Sequence, residues 1–225
     1  GFLPRSEQAP GERFRVGERI KSLVKDLQKS ANRVKITLSR TDRELVKALF
    51  ALEIPEVQDN VIEIKEIARE AGYRTKIAVT TYDTNVDCVG ACVGVRGSRI
   101  KNIVDELFGE KIDIVRWNES IEVLIIQALK PAEISSMDLD YDEQKAQIYV
   151  KPDQQSLAIG KRGQNVRLAS KLTEWELEIK PITDEELEQM RKEDPDDIPD
   201  SLAESEETAK AEAPEAEETA AEPEA

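Results

Sequence analysis

The sequence predicts an α+β protein in which a short β region precedes two units of the same element order and an acidic tail. Two observations lead to this prediction. A Gly-x-x-Gly signal with basic residues inside it occurs twice, 66 residues apart, at Gly94–Gly97 (the first loop) and Gly160–Gly163 (the second loop). The apolar and basic positions around the two copies also repeat in register, so that Lys101 aligns with Arg167. Self-similarity at a fixed spacing indicates a duplicated structural unit.

Alternating apolar residues and turn signals predict the elements of the first half in order. Residues 1–39 are predicted to form β structure, with strands from Val16 to about Leu27 and over 33–38. Thr41 and Asp42 then cap a helix that ends before Pro55. Further predictions are strands over 61–68 and 74–81, a short helix from about 86, a helix over 98–108 and a strand over 111–117.

The second half is predicted to repeat this order. A helix over 120–129 ends before Pro131, and strands over 134–139 and 146–150 flank an acidic turn. Pro152 is predicted to start a helix, since proline is favoured at the first helical position. The second loop, a helix over 164–172 and a strand over 175–180 complete the unit. Each unit is therefore predicted to read α-β-β-α-α-β, and residues 181–191 to form a further short helix.

The negative charge of the chain is confined to its C-terminal part. The net charge is −15, and residues 183–225 contain 18 acidic and three basic residues, whereas residues 1–182 contain 29 of each. The body is thus neutral, so the overall charge does not argue against nucleic-acid binding. Residues 183–225 are too poor in apolar bulk to offset the entropy of ordering, so we predict a disordered tail. The tail is either a solubilising extension or an RNA-mimicking competitor for the basic loops.

Both loops are suited to holding a nucleic-acid backbone. Glycine lets the chain turn tightly and lets a phosphate approach the backbone amides. The free N–H groups at the start of the following helix attract anions, and the basic residues add positive charge. A backbone clamp of this kind on about four nucleotides is how a KH module holds single-stranded RNA. The alternative is that the glycines only relieve strain in two helix-joining turns.

The predicted RNA-binding residues lie in the loops and in the first turns of the helices that follow them. Gln164 and Asn165 are included because amides can read base edges. Arg99, Lys101 and Arg167 either reach phosphates or form a solvated face. We expect the second loop to be the stronger clamp because it has more positive charge. The full set is Gly94, Val95, Arg96, Gly97, Ser98, Arg99, Lys101, Gly160, Lys161, Arg162, Gly163, Gln164, Asn165 and Arg167.

Other residue classes point away from catalysis, cofactors and membranes. The chain has no histidine, no nucleotide-binding loop and no acidic metal cluster in its body, so we expect neither an enzyme nor a metal site. Cys88 and Cys92 are interpreted as buried thiols in a reducing compartment. No apolar run approaches a membrane span, and we expect a cytoplasmic monomer. Aromatic residues make up only 4% of the chain, so we expect Trp117 and Trp175 to pack rather than to stack on bases.

The element order, with a glycine loop between the two middle helices, resembles the bacterial type of KH domain. Residues 1–40 resemble the second half of an OB-fold RNA-binding domain of the S-one type. An OB fold followed by two fused KH domains is the arrangement of the NusA family of bacterial transcription factors, and local strings resemble that family too. These strings include residues 38–41, 49–56, 67–72, 76–79, 89–100 and 157–166.

The resemblance implies four segments: a partial OB-fold β-barrel over 1–40, KH domains over 41–118 and 119–182, and the disordered acidic tail over 183–225. It implies an RNA-binding transcription elongation factor that modulates pausing, termination and antitermination by engaging nascent single-stranded RNA. RNA polymerase and other elongation or antitermination factors are the implied partners. The family's polymerase-binding N-terminal domain is not represented, so no polymerase contact is named. The alternatives are the RNA-binding part of an RNA-processing exonuclease and a ribosome-associated KH protein.

Overall fold

The fold was analysed in a computed structural model that describes residues 1–30, 33–183 and 185–187. Among the described residues up to 183 the chain forms seven α-helices and eight strands, and the strands are arranged in three separate sheets. The predicted α+β class is confirmed. Pro181 ends the last strand rather than starting a helix, so the helix predicted over 181–191 does not begin there, although residues 185–187 are helical; residues 184 and 188–191 lie outside the described residues, as does most of the predicted disordered tail.

The N-terminal region forms an open antiparallel hairpin of β1 (Leu23–Ser30) and β2 (Arg33–Ser39). Phe2 extends it by pairing in parallel with β2, donating from its N–H to the Ile36 carbonyl at 2.8 Å. None of the described residues closes a barrel around it. The predicted strand start at Val16 is wrong. The Lys21 N–H donates to Glu106 at 3.2 Å, 85 residues away, so the backbone there is bound outside the hairpin.

Arg40 joins the N-terminal region to the first unit. Its side chain is fully buried and binds the Glu12 carboxylate at 2.7 Å and the Glu106 backbone carbonyl at 2.7 Å. The guanidinium also lies beside the edge-to-face pair of Phe14 and Phe108, at 5.8 and 5.5 Å from their ring centroids. Since a buried charge needs partners, this cluster fixes the region against the helix that contains Glu106.

The first unit follows the predicted order with one additional helix. Asp42 caps the first helix as predicted, because its side chain accepts from the Glu44 N–H at 3.0 Å. The additional helix begins at Pro55, the proline position that favours a helix start. The elements are α1 (Arg43–Glu53), α2 (Pro55–Gln58), β3 (Ile62–Glu70), β4 (Arg74–Thr81), α3 (Cys88–Val93), α4 (Ser98–Glu106) and β5 (Lys111–Arg116).

The second unit repeats the same order, as predicted. Its elements are α5 (Ile121–Leu129), β6 (Ser136–Asp140), β7 (Lys145–Val150), α6 (Gln155–Ile159), α7 (Gln164–Thr173) and β8 (Glu176–Pro181). In each unit the central strand pairs antiparallel with the strand before it and parallel with the strand after the helices. The helix predicted to start at Pro152 begins three residues later, because the Gln154 N–H closes a turn onto Lys151 at 2.9 Å.

The two units share a hydrophobic core. Ala68, Ala78 and Val115, from strands β3, β4 and β5 of the first unit, belong to the same buried cluster as residues of α5 and α7 of the second unit. The alternate residues Ile77 and Val79 belong to the cluster of the first unit's own helices. Strand β4 is therefore covered on both faces, and the two units are packed together rather than tethered. Trp175 is buried in the shared cluster and Trp117 packs against it, in agreement with the prediction that they pack.

Candidate nucleic-acid interface

The two loops have the same backbone conformation. Gly94 and Gly160 have φ/ψ of 75/173° and 73/174°, and the last glycines, Gly97 and Gly163, have 73/19° and 70/18°. Arg96 and Arg162 between them also match, at 53/29° and 56/30°. In both loops the last glycine donates its N–H to the carbonyl of the first, at 3.0 and 3.1 Å. The repeated sequence signal is thus a repeated structure.

The first glycine of each loop is required by its conformation and by its surroundings. A Cβ on Gly160 would lie 2.7 Å from the Asn165 Cβ and 3.0 Å from the Asn165 backbone N, and a Cβ on Gly94 would lie 2.8 Å from the Arg99 Cγ. A Cβ on Gly163 would meet nothing within 4 Å, so only its positive φ favours glycine there.

A helix begins directly after each loop, and its first amides have no side-chain cap. The residues at the cap positions of α4 and α7 are Gly97 and Gly163, which have no side chain to accept a hydrogen bond. The first N–H groups of a helix have no intrahelical acceptor, and the dipole adds positive potential there. Each loop therefore presents its basic side chains beside uncapped amides, which is an anion-binding arrangement.

The predicted residues with exposed side chains surround these helix starts. Val95 is 83% exposed, and Arg96, Ser98 and Lys101 are also exposed at the first loop. Lys161 and Arg162 are exposed at the second. None of Arg96, Lys101, Lys161 or Arg162 makes a salt bridge with any residue that the structure describes. These four cations are available for an anionic ligand.

Asn165 is placed in the interior, contrary to the expectation that it reads base edges. The residue is 5% exposed, and its Nδ2 donates to the carbonyls of Leu129, Leu157 and Ala158 at 3.1, 3.3 and 3.1 Å. Its buried Oδ1 has no hydrogen-bond partner among the described residues. The side chain joins the ends of α5 and α6 beneath the second loop, and a base edge does not reach it in this geometry.

Arg99 occupies the matching position of the first loop and has a matching bracing role. Its Nη1 donates to the Ala91 carbonyl at 2.7 Å, as Asn165 does to the equivalent Leu157. The same nitrogen binds the Glu56 carboxylate at 2.9 Å. The pKa of Glu56 is lowered, mainly by a hydrogen bond from the Glu56 backbone and further by the Arg99 guanidinium. Arg99 is thus engaged beneath the loop rather than directed to a phosphate.

Gln164 and Arg167 contact the first unit. Gln164 Nε2 donates to the Glu70 carboxylate at 2.9 Å, and Arg167 Nε donates to it at 2.5 Å. The hydrogen bond from Arg167 is the largest of the effects that lower the pKa of Glu70. The sequence reasoning missed both Glu56 and Glu70. No local signal marks them, because their partners lie 43 and at least 94 residues away.

The remaining candidate chemistry is structural. Cys88 and Cys92 are buried on α3 beside the first loop, and burial raises the pKa of the Cys92 thiol to about 12. No group of His, Cys, Asp or Glu within the described ranges is arranged to hold a metal ion. The helices of the described part are too short or too polar to cross a bilayer.

Comparison with known proteins assigns both units to one family type. Residues 40–117 match the NusA-like first KH domain, and residues 121–187 match the NusA-like second KH domain. Together these matches cover more than half of the chain.

Several relatives bear the name "Transcription termination/antitermination protein NusA". The chain is 49% identical over 179 residues to that of Halalkalibacterium halodurans, covering 80% of this chain and 47% of the relative. The identity to the Bacillus subtilis relative is 47% over 184 residues, which covers 81% of this chain and 49% of the relative. The identity to the Thermus thermophilus relative is 44% over 188 residues, which covers 84% of this chain and 49% of the relative. The chain spans about half the length of these curated relatives. A solved structure, "Crystal structure of APE1850", is 22% identical with a TM-score of 0.46, covering 60% of this chain and 95% of its own.

Proposed function

The chain belongs to the NusA family, and from that premise we propose that its two Gly-x-x-Gly loops clamp the backbone of one single-stranded RNA. The observation that supports this most directly is the identical backbone conformation of the two loops, each with exposed cations beside an uncapped helix start. Backbone clamping of about four nucleotides by such a loop is the mode of KH modules. Both loops are therefore assigned the same ligand chemistry.

Two clamps in a fixed frame bind more strongly than either does alone. The shared core, in which Ala68, Ala78 and Val115 pack against the second unit, joins the loops through a packed interface rather than a flexible linker. Once RNA is held at one loop, binding at the other is intramolecular, with an effective concentration of about millimolar for short connections. An RNA long enough to reach both loops gains this advantage, and a shorter RNA does not.

We further propose that the RNA is a nascent transcript and that the protein modulates pausing, termination and antitermination in the bacterial cytoplasm. The relatives' printed name supports this role, and it describes regulatory proteins rather than enzymes. RNA polymerase and other elongation or antitermination factors are the proposed partners. The relatives do not favour an exonuclease or a ribosome-associated protein.

Reversing the charge of the loops tests the clamp. The triple variant Arg96→Asp, Lys161→Asp and Arg162→Asp should lose RNA binding while keeping its thermal unfolding midpoint, because these exposed side chains make no salt bridge within the described part of the chain. Binding is measured by anisotropy titration with a fluorescein-labelled random-sequence RNA of about 12 nucleotides. This RNA is long enough for two clamps of about four nucleotides each. For the unmodified protein, affinity should fall with added salt with a slope of about −0.7 per phosphate contact.

A matched triple variant separates loop chemistry from the general effect of charge. It reverses three exposed lysines outside the loops and should retain most of the affinity at moderate salt, where the Debye length is about 8–10 Å. Equal affinity of the loop variant and the unmodified protein would exclude the clamp. If both triple variants lost the same amount of RNA affinity, binding would be explained by non-specific electrostatic attraction rather than by the clamp. The control substitutions are Lys35→Asp, Lys47→Asp and Lys111→Asp, at exposed lysines that make no salt bridge to any residue that the structure describes.

A further inference from the structure

Glu70 of the first unit reaches helix α7, which follows the second loop in the other unit. It is the last residue of β3, and its carboxylate binds Gln164 and Arg167, which lie 94 and 97 residues further along the chain. The Glu70 side chain is 19% exposed, whereas that of Arg167 is 48% exposed. The carboxylate is thus mostly enclosed, while the arginine remains open to a ligand.

The contacts of Arg167 leave part of its guanidinium unused. Nε donates to Glu70 at 2.5 Å, and Nη1 donates to the Arg162 backbone carbonyl within the second loop at 3.3 Å. Nη2 has no hydrogen-bond partner among the described residues. Because the guanidinium is planar and rigid, two fixed nitrogens set the orientation of the third. Arg167 is held against the second loop with one end free.

We propose that Glu70 is a positioning residue that holds Arg167 beside the second loop, so that its free nitrogen donates to an RNA phosphate. This inference rests on the proposed RNA clamp. It makes the phosphate contacts of the second loop depend on a side chain of the first unit. Glu70 itself does not touch the RNA and acts only through Arg167.

Among the described residues, the first loop has no equivalent contact with the second unit. Its brace is the ion pair of Arg99 with Glu56 at 2.9 Å, and both residues belong to the first unit. Lys101, which aligns with Arg167, makes no salt bridge to any residue that the structure describes. The brace across the two units is therefore specific to the second loop.

A competing role for Glu70 predicts the opposite result. If its carboxylate occupied the place of a phosphate on Arg167, then removing it would strengthen RNA binding. The free Nη2 and the bond to the Arg162 carbonyl favour positioning, because Arg167 can keep Glu70 and still donate outward. The sign of the change in affinity separates the two roles.

Glu66→Ala is a matched control for Glu70→Ala. Glu66 lies on the same strand, its side chain is 27% exposed, and its carboxylate binds Arg43 at 2.9 Å. Each substitution removes one negative charge and one carboxylate–arginine pair, but only the arginine partner of Glu70 contacts the second loop, through the Arg162 carbonyl. With the labelled RNA of about 12 nucleotides, Glu70→Ala should bind about fivefold more weakly, the effect of one partly solvated ion contact. Glu66→Ala should stay within about twofold of the unmodified protein, as a surface change does.

Two further readouts test whether Glu70 acts through Arg167. The slope of log affinity against log salt should shrink by about 0.7 in Glu70→Ala, equivalent to one lost phosphate contact, and should not change in Glu66→Ala. In an Arg167→Gln background, adding Glu70→Ala should have no further effect, as expected for two residues of one interaction. Thermal unfolding curves set a temperature at which all variants are folded.

The possible outcomes separate this inference from the proposed function. Equal affinities for Glu70→Ala and Glu66→Ala, tighter binding by Glu70→Ala, or a fivefold loss that persists without Arg167 each overturn the positioning role. If the loop charge reversals abolish binding while Glu70→Ala matches its control, the clamp stands and only the positioning role fails. If the loop reversals leave binding intact, the clamp itself fails.

Discussion

Replacing Gly160 by alanine should destabilise the protein by about 3 kcal/mol, whereas the same change at Gly163 should cost under about 1 kcal/mol. The two glycines lie in one loop, three residues apart, and both have positive φ, at +73° and +70°. They differ in ψ and in what a new methyl group would meet. The pair therefore separates steric requirement from backbone preference within one structural element.

The cost at Gly160 has two parts. Its φ/ψ of 73/174° lies in a region that is essentially reserved for glycine, with a cost of about 1–3 kcal/mol for other residues. The new Cβ would also lie 2.7 Å from the Asn165 Cβ and 3.0 Å from its backbone N. Asn165 cannot move away easily, because three carbonyls hold its side chain, and overpacking costs about 1–3 kcal/mol. Alanine also lowers the conformational entropy of the unfolded chain, which offsets about 0.4–1 kcal/mol of this cost.

At Gly163 only the backbone contributes. Its φ/ψ of 70/18° is left-handed helical, which costs an ordinary residue about 1–2 kcal/mol. A Cβ there has nothing within 4 Å. The lower entropy of the unfolded chain offsets part of this cost as well, so the net loss of stability is about 0.5–1 kcal/mol. Asparagine tolerates this conformation better than alanine does, so Gly163→Asn should be milder still.

Urea denaturation measures the difference directly. The midpoint should fall much further for Gly160→Ala than for Gly163→Ala with an unchanged slope, since only stability and not exposed area differs. The Gly160 variant should also lose RNA affinity at the second loop if the loop shifts to relieve the contact. Free energies of unfolding within about 0.5 kcal/mol of each other, the margin of ordinary surface substitutions, would refute the steric argument based on Asn165.

Two further predictions concern buried thiols and acid stability. A thiol reagent at about pH 8 should label Cys88 and Cys92 only after unfolding, since both are buried and the pKa of Cys92 is raised to about 12; labelling of native protein would contradict this. Burial raises the pKa of Asp113, but the hydrogen bonds and charges of Arg74 and Lys76 outweigh burial and hold this pKa below its ordinary value. Its stabilisation should therefore be complete above about pH 4 and lost as pH falls through the lowered pKa. Asp113→Asn should lower the free energy of unfolding by about 2 kcal/mol at neutral pH. It should also reduce the fall of the urea midpoint between neutral and acid pH, and an unchanged fall would contradict the role of the ion pairs with Arg74 and Lys76.

Local patterns were sufficient for most elements because their signals lie within a few residues. The cap at Asp42, the strand over 74–81 and the glycine turns each depend on neighbours in sequence, and the structure has them where they were predicted. The start of α2 at Pro55 was missed although proline favours a helix start. The start of β1 was misplaced for a different reason. The Lys21 N–H is bound to Glu106 across 85 residues, which no local pattern reports.

The same division applies to the candidate site. The loops and their exposed cations followed from spacing and residue type. The roles of Asn165 and Arg99 did not, because both amide and guanidinium groups can either bind a ligand or satisfy carbonyls. Which of these occurs depends on the carbonyls that the fold brings near, such as that of Leu129, which lies 36 residues before Asn165. Exposure, rather than residue type, separates ligand-facing from bracing polar side chains here.

The different braces of the two loops have a consequence for how RNA binding depends on the fold. The first loop is braced by Glu56 within its own unit, so an isolated first unit would keep that ion pair. The second loop is braced by Glu70 of the other unit, and α7 also packs against β3 and β4. Loosening the shared core should therefore weaken RNA binding at the second loop more than at the first. A large-to-small change of a core residue between the units would thus change the balance of the two clamps, although it touches neither loop.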